Sequence, residues 1–221
     1  MASSVLFEDD VKKMEEYLAI HPENINILQN GQTPLMNAVL LGRTDVVDIL
    51  IGFGANVNLQ DKIGYTVLHR CCKYQSNNRD ILRRLLEANA DPMCINYWGD
   101  TPVHLAAEKT NDVNVIHDLT LGSNPNFQNK YGHNALMMAC QSNKNPEVIS
   151  ACINITNDLN TTSMDGNTGL HLACAGNNYN AIPLLLEAGV DMYITNNRNK
   201  IAYEFVSAKG KEIFNEFANR K

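Results

Sequence analysis

Two kinds of apolar phrase alternate along the chain, separated by polar turns. The first reads "GQTPLMNAV", "GYTVLHRCC", "GDTPVHLAA", "GHNALMMAC" and "GNTGLHLAC", with a degenerate "KIAYEFVSA" at the end. It follows a polar stretch such as "NLQDKI", "NFQNKY" or "NTTSMD". The second, clearest in "DVVDILIGFGA", "DILRRLLEANA" and "NAIPLLLEAGV", begins a few residues further on. The leading glycines Gly31, Gly64, Gly99, Gly132 and Gly166, with Lys200 in the next slot, stand 33, 35, 33, 34 and 34 residues apart. A period of that length signals a stacked repeat. Both phrases carry apolar spacing that predicts short helices. Thr33, Thr66, Thr101 and Thr168 are suited to N-cap the first helix, with Pro34 and Pro102 at its first position, where a missing N–H loses nothing. Gly54, Asn89, Gly122, Asn157 and Gly189 follow the second helix, where a left-handed cap is predicted. Asp61, Asn96, Asn129, Ser163 and Asn197, three residues before each anchor, predict side-chain-closed turns.

The full phrase, closest to G-x-T-P-L-H-x-A-A at Gly99 to Ala107, resembles the ankyrin repeat family, and the likeness runs from Gly31 to the C-terminus. The resemblance implies an all-α fold, an elongated ankyrin-repeat solenoid of helix-turn-helix layers with hairpin-like fingers on one side. Residues 1–30 are expected to form an N-terminal capping layer, because Val11, Met14, Tyr17 and Leu18 have helical spacing without the phrase. Residues 31–199 hold five repeats, and residues 200–221 a degenerate C-terminal capping repeat, in one continuous domain. The outer helix "KGKEIFNEFANRK" alternates apolar and charged residues, as a terminal cap requires.

Composition narrows the function. With 44% hydrophobic and 19% charged residues the chain has the balance of a folded domain. A net charge of -6 without clustered Lys and Arg argues against nucleic acid as a partner. Glu8, Asp9 and Asp10 read as solvated surface. No apolar run approaches the ~20 residues needed to span a bilayer, so no membrane partner is expected. "MASSVLFEDD" has no basic region ahead of an apolar one and does not read as a secretory signal. The cysteines include no C-x-x-C pair and suit neither a zinc site nor a disulfide framework, which points to a reducing compartment: the cytoplasm, with the nucleus as a further location.

His69, His104 and His171 fill one repeat slot, occupied elsewhere by Met36, Met137 and Phe205. Successive layers lie ~10 Å apart, so these imidazoles are predicted not to converge on a metal or a substrate. The resemblance implies that they bond their own layer's threonine or a neighbouring loop backbone. Cys72, Cys140 and Cys174 align with Val39, Ala107 and Ala208, a slot for a small apolar residue, which a buried thiol resembles. No catalytic, cofactor-binding or metal-ligating residue is therefore assigned, and no enzyme activity is expected.

Slots that vary between copies are free for recognition. Fingers expected to point into water carry Ile63, Tyr65, Tyr97, Trp98 and Tyr131, and an exposed apolar patch rich in aromatic residues marks an interface. Lys62, Arg70, Lys73, Glu108, Lys109 and Lys130 surround it, and Tyr74 and Leu41 extend it along the concave face. The candidate partner-binding residues are Ile63, Tyr65, Tyr74, Tyr97, Trp98, Asp100, Lys109, Lys130, Tyr131 and His133. The reading is a non-catalytic module, adaptor or scaffold, that binds a protein or peptide through finger tips and concave helix face. An assembly chaperone, or an inhibitor of a larger complex or enzyme, is the alternative, with a host-directed effector ranked below it. The chain is expected to be a monomer. The resemblance also points to Asn58 as the nearest match to a finger-base asparagine that some ankyrin proteins carry hydroxylated.

Two layers look poorly packed: the third, with Thr120 at an apolar slot, and the fourth, with Ser150, Ala151, Cys152 and Asn154 in its second helix. Gly169 and Pro183 depart from pattern in the fifth. Two extra residues in "YQSNNRD" read as a neutral insertion.

Overall fold

The computed structural model describes residue 6 and residues 11–219; Glu8, Asp9, Asp10, Arg220 and Lys221 lie outside the described residues. Among the described residues twelve α-helices follow one another: α1 (Val11–Ile20), α2 (Pro34–Leu40), α3 (Thr44–Gly52), α4 (Val67–Tyr74), α5 (Arg79–Glu87), α6 (Pro102–Lys109), α7 (Val113–Thr120), α8 (Ala135–Ser142), α9 (Pro146–Ile155), α10 (Gly169–Ala175), α11 (Ala181–Glu187) and α12 (Ala208–Ala218). Short 3-10 turns cover Pro22–Asn24 and Ala202–Phe205. The described residues contain isolated β-bridges and no strand.

Helices pair within a layer (α2 with α3, α4 with α5, and so on) and stack between layers in two rows. The first helices run α2, α4, α6, α8, α10 and end on the Ala202–Phe205 turn; the second run α3, α5, α7, α9, α11, α12. One core threads the stack, from Leu6, Met14 and Leu18 through Leu68, Leu85, Ile116, Ile149 and Leu185 to Phe214. Full burial of such a side chain contributes about 1.5–3 kcal/mol.

Three of the four threonines cap as the phrase predicts, while Thr101 makes no side-chain cap bond and His104 N–H bonds its carbonyl at 3.0 Å instead. Thr33, Thr66 and Thr168 stand in extended conformation and accept bonds from the backbone N–H of Met36, His69 and His171, and Asn134 does the same for Met137 in the fourth layer. The second helices divide. α3, α5 and α11 end in left-handed residues, Gly54, Asn89 and Gly189, and the next N–H returns to the carbonyl of Leu50, Leu85 or Leu185, the double closure of a Schellman cap. Gly122 and Asn157 do not take that conformation. Thr120 Oγ1 instead donates to the His117 carbonyl at 2.9 Å, and Thr156 Oγ1 to the Cys152 carbonyl at 2.7 Å. A hydroxyl at the helix end satisfies a carbonyl that the left-handed turn would otherwise serve.

The last layer's register also differs from expectation. Asn196 N–H bonds the Lys200 carbonyl, as Asp61 N–H bonds that of Tyr65, which puts Asn199 rather than Lys200 in the glycine slot and Glu204 rather than Phe205 in the histidine slot. Asn196, not Asn197, closes the turn, its Oδ1 accepting from Arg198 and Lys200 N–H. At Gly64, Gly99, Gly132 and Gly166 a side chain in this slot would collide with the next finger. A Cβ on Gly99 would lie 2.9 Å from Lys130 N, and on Gly132 2.7 Å from Met164 N. At Asn199 only a left-handed φ of 55° is required, and asparagine adopts it more readily than most residues.

The polar residues flagged in the fourth layer sit outside the core: Ser150 is half-buried and Asn154 exposed, while Val148, Ile149 and Cys152 are fully buried. The longer second turn is not neutral padding. Asn78 caps α5, Ser76 Oγ donates to the Lys109 carbonyl, Thr110 Oγ1 to the Ser76 carbonyl, and Asn111 N–H to Asn77 Oδ1. The extra residues are bonded into the next layer.

Candidate interaction surface

The fingers form a continuous backbone ladder. Tyr97 N–H donates to the Ile63 carbonyl (2.9 Å), Lys130 to Trp98 (3.0 Å), Met164 to Tyr131 (3.0 Å) and Asn197 to Asp165 (3.0 Å). Gln60 Nε2 and Gln128 Nε2 each bridge their own finger's glycine carbonyl and the next finger's backbone. Adjacent tips are thus locked in register, and what they display is displayed as one surface.

The histidines hold this ladder to the helices. In each of His69, His104 and His171, Nδ1 lies 3.2 Å from the backbone N of the capping threonine, a group that can only donate. Nδ1 is therefore the bare nitrogen, and Nε2–H donates onward to the carbonyl of Asp100, His133 or Lys200 in the next layer, at 2.9, 3.0 and 2.9 Å. Burial lowers the pKa of His69 and His104, against weaker raising effects of Asp100 and the accepting carbonyls. Among the described residues no three His, Cys, Asp or Glu side chains gather as a metal site. Cys71, Cys72, Cys140, Cys152 and Cys174 are buried free thiols, and burial pushes those of Cys71, Cys152 and Cys174 up to about 12.

The proposed site residues separate into two groups. Ile63 (45% exposed), Tyr97 (67%) and Tyr131 (54%) stand at successive finger tips, with Lys130 and Lys109 exposed beside them and Tyr74 exposed at the end of α4. Tyr65 and Asp100 do not point into water, being 5% and 7% exposed. Both follow an anchor glycine, and the chain there turns back toward the helices. Asp100 accepts from Asn96 Nδ2 (3.2 Å) and Asn129 Nδ2 (2.6 Å) and is part of the scaffold between two fingers. Arg70, expected beside the surface, is buried in an ion pair with Asp61 at 2.6 Å. Trp98 is half-buried against the core, its ring 6.0 Å from Tyr65 and 5.7 Å from Tyr97. His133 is half-buried, and that burial lowers its pKa against the pull of Asp100 and Asp165. Met164, exposed at the next tip, extends the strip. It occupies the slot of Lys62, Tyr97 and Lys130, two residues before the anchor, which points to it from the repeat alone.

A cation–aromatic chain runs along the strip. Lys73 Nζ sits 5.0 Å from the Tyr65 ring centre and 5.4 Å from that of Tyr74, donating to Tyr65 Oη at 3.2 Å. Lys130 Nζ sits 4.7 Å from the Tyr97 ring centre. Contacts of this kind contribute about 0.5–1 kcal/mol at exposed sites. They fix where the ammonium groups stand.

A stack of paired helices with laddered fingers defines a repeat solenoid. The chain belongs to the ankyrin repeat family: a model of ankyrin repeats in three copies matches residues 5–96 and 103–196. Among curated proteins it is similar to the Nuclear factor NF-kappa-B p105 subunit of Gallus gallus (32% identity, 86% of this chain, 20% of that protein). It is also similar to the E3 ubiquitin-protein ligase KEG of Arabidopsis thaliana (27%, 89% of this chain, 15% of that protein) and to putative ankyrin repeat protein L371 of Acanthamoeba polyphaga mimivirus (25%, 83% and 25%). The chain thus spans a quarter or less of the length of these relatives. The solved ankyrin repeat domain of Bcl-3 superposes with a TM-score of 0.77, each chain covered to 97% at 22% identity, a likeness of fold. No helix among the described residues is long and apolar enough to cross a membrane.

Proposed function

We propose that this chain is a non-catalytic module that binds a protein or peptide through the tips of fingers two to four and the adjoining ends of α4 and α6. Adaptor, scaffold, inhibitor and assembly-factor roles would all use this surface, and a monomer suffices for each. The observation that carries the reading is the row Ile63, Tyr97, Tyr131 and Met164, exposed side by side on tips that the backbone ladder holds rigid. A preorganised apolar row lowers the entropic cost of binding, and tyrosine supplies both apolar area and a polar end. Membership of a family of interaction repeats supports the same reading.

The test replaces Tyr97 and Tyr131 together with alanine. Both rings are largely exposed, so circular dichroism and the urea midpoint should stay near wild type, while the set of proteins retained on the immobilised chain, quantified by mass spectrometry, should shrink. Unchanged retention by a folded variant would overturn the reading.

A further inference from the structure

The chain as a whole is acidic, at -6, yet the finger strip is locally cationic. Lys62 and Lys130 are exposed on it, and Lys73 is half-exposed at its helix end. Of the carboxylates in these layers, Asp61 and Glu108 are ion-paired and Asp100 is buried among neutral amides that leave its charge in place. Asp61 takes Arg70 Nη2 and the N–H groups of Ile63 and Tyr65; Asp100 takes Asn96 and Asn129; Glu108 is paired with Lys109 at 2.8 Å. None of the ion pairs among the described residues involves Lys62, Lys73 or Lys130. Exposed Asp165, on the fifth finger, bounds the strip at its far end.

Lys73 and Lys130 are also positioned. Each ammonium stands over a tyrosine ring fixed in the finger ladder or the core, with no carboxylate paired to it. Taking the finger strip as the binding surface, as proposed above, we infer that its partner is an acidic segment bound in extended conformation, carboxylates on Lys73 and Lys130 and apolar side chains on Tyr97 and Tyr131. Complementary charge of this kind steers encounter and sets register. Lys73 belongs to the second layer and Lys130 to the fourth finger, so layers ~10 Å apart and a rise of ~3.3 Å per residue in an extended chain place the two carboxylates about six residues apart. The apolar residues between them lie over the rings. Neutral and basic segments would leave the ammonium groups unpaired or repelled.

Synthetic fluorescent peptides test this directly. One set shares an apolar Leu/Phe frame and carries Glu, Ser or Lys at two positions about six residues apart; affinity is read by fluorescence polarisation at low and high salt. The Glu peptide should bind the wild-type chain about tenfold or more tightly than the Ser peptide, a difference that falls as salt rises. Lys73→Glu with Lys130→Glu should reverse the preference towards the Lys peptide, and Tyr97→Ala with Tyr131→Ala should weaken every peptide. Equal or tighter binding of the Ser or Lys peptide, lost in the tyrosine variant, would overturn the acidic partner and leave the strip as a binding surface. Binding of the Glu peptide that ignores both variants would overturn the strip itself, and binding by no peptide would overturn the acidic partner. Lys130→Gln is a milder variant should the reversals disturb folding, and it should lower Glu-peptide affinity without inverting the preference.

Discussion

One residue type does the same work in three storeys. Each phrase histidine accepts from its threonine and donates across to the next finger, a role that needs the neutral ring with its proton on Nε2. Because burial holds the folded pKa of His69 and His104 below 6.5, the unfolded chain binds protons first as the pH falls. The unfolded state then carries more protons, so stability is present above pH 6.5 and is lost on acidification through that value toward the lower folded pKa values. His104→Gln should therefore lower the urea midpoint near neutrality while making its decline towards about pH 5 shallower than in wild type; a parallel decline would contradict this account. Several of these residue roles were legible early. The repeat spacing kept the histidines apart, the resemblance to ankyrin repeats supplied their threonine partner, and a small-residue slot signalled a buried thiol. The burial of Tyr65, Asp100 and Arg70 was not legible, since a residue beside a turn glycine faces solvent or scaffold according to where the returning chain lies.

Between elements, a row of polar side chains closes the first helices from the layer above. Gln75 Nε2 donates to the Leu40 carbonyl, Thr110 Oγ1 to Ser76, Asn143 Nδ2 to Ala107 and Thr110, and Asn178 Nδ2 to Cys140 and Asn143. A second row runs along the finger bases, where Asn26, Asn58, Asn126 and Asn160 accept the N–H of Asn56, Asp91, Asn157 and Asp191. Asn58, singled out from the sequence as a modification candidate, is one of these bridges, its Nδ2 also reaching the Asn89 carbonyl. Roughly one residue in seven is asparagine, and these bridges give many of them a structural reason. Asn178 is fully buried. Asn178→Ala strands two helix-end carbonyls and should cost about 1–3 kcal/mol, read as a fall in the urea midpoint. Asn180→Ala removes an exposed bond to the Lys144 carbonyl and should cost much less; equal losses would refute the spine. The sequence marks turns at these places without saying whose carbonyl each amide meets, because the acceptor belongs to a different layer.

For the molecule as a whole, stability is a sum of layers and the interfaces between neighbours, so the stack opens where those terms are smallest. On the outer row the second layer is tied to the first by Arg84 with Asp48 and to the third by Arg79 bidentate with Asp118, and α3 and α5 close in Schellman caps. α9 closes on one threonine hydroxyl and buries the small Cys152 where the other layers bury Leu50, Leu85, Leu119 and Leu185. Hydrogen exchange should accordingly find Asn145 to Asp158 opening more readily than Asp45 to Leu86, and the opposite order would show that the fourth layer's interfaces outweigh its caps. Period, helix order, first-helix caps and the placement of the fingers were determined by the sequence alone, because they depend on local backbone preferences repeated at fixed spacing. Which tip residues reach water, which carboxylates are already satisfied, and hence the sign of charge left over on the strip, only the tertiary structure decided. Those properties belong to neighbours one period away, and a side chain's surroundings there are set by how adjacent layers stack.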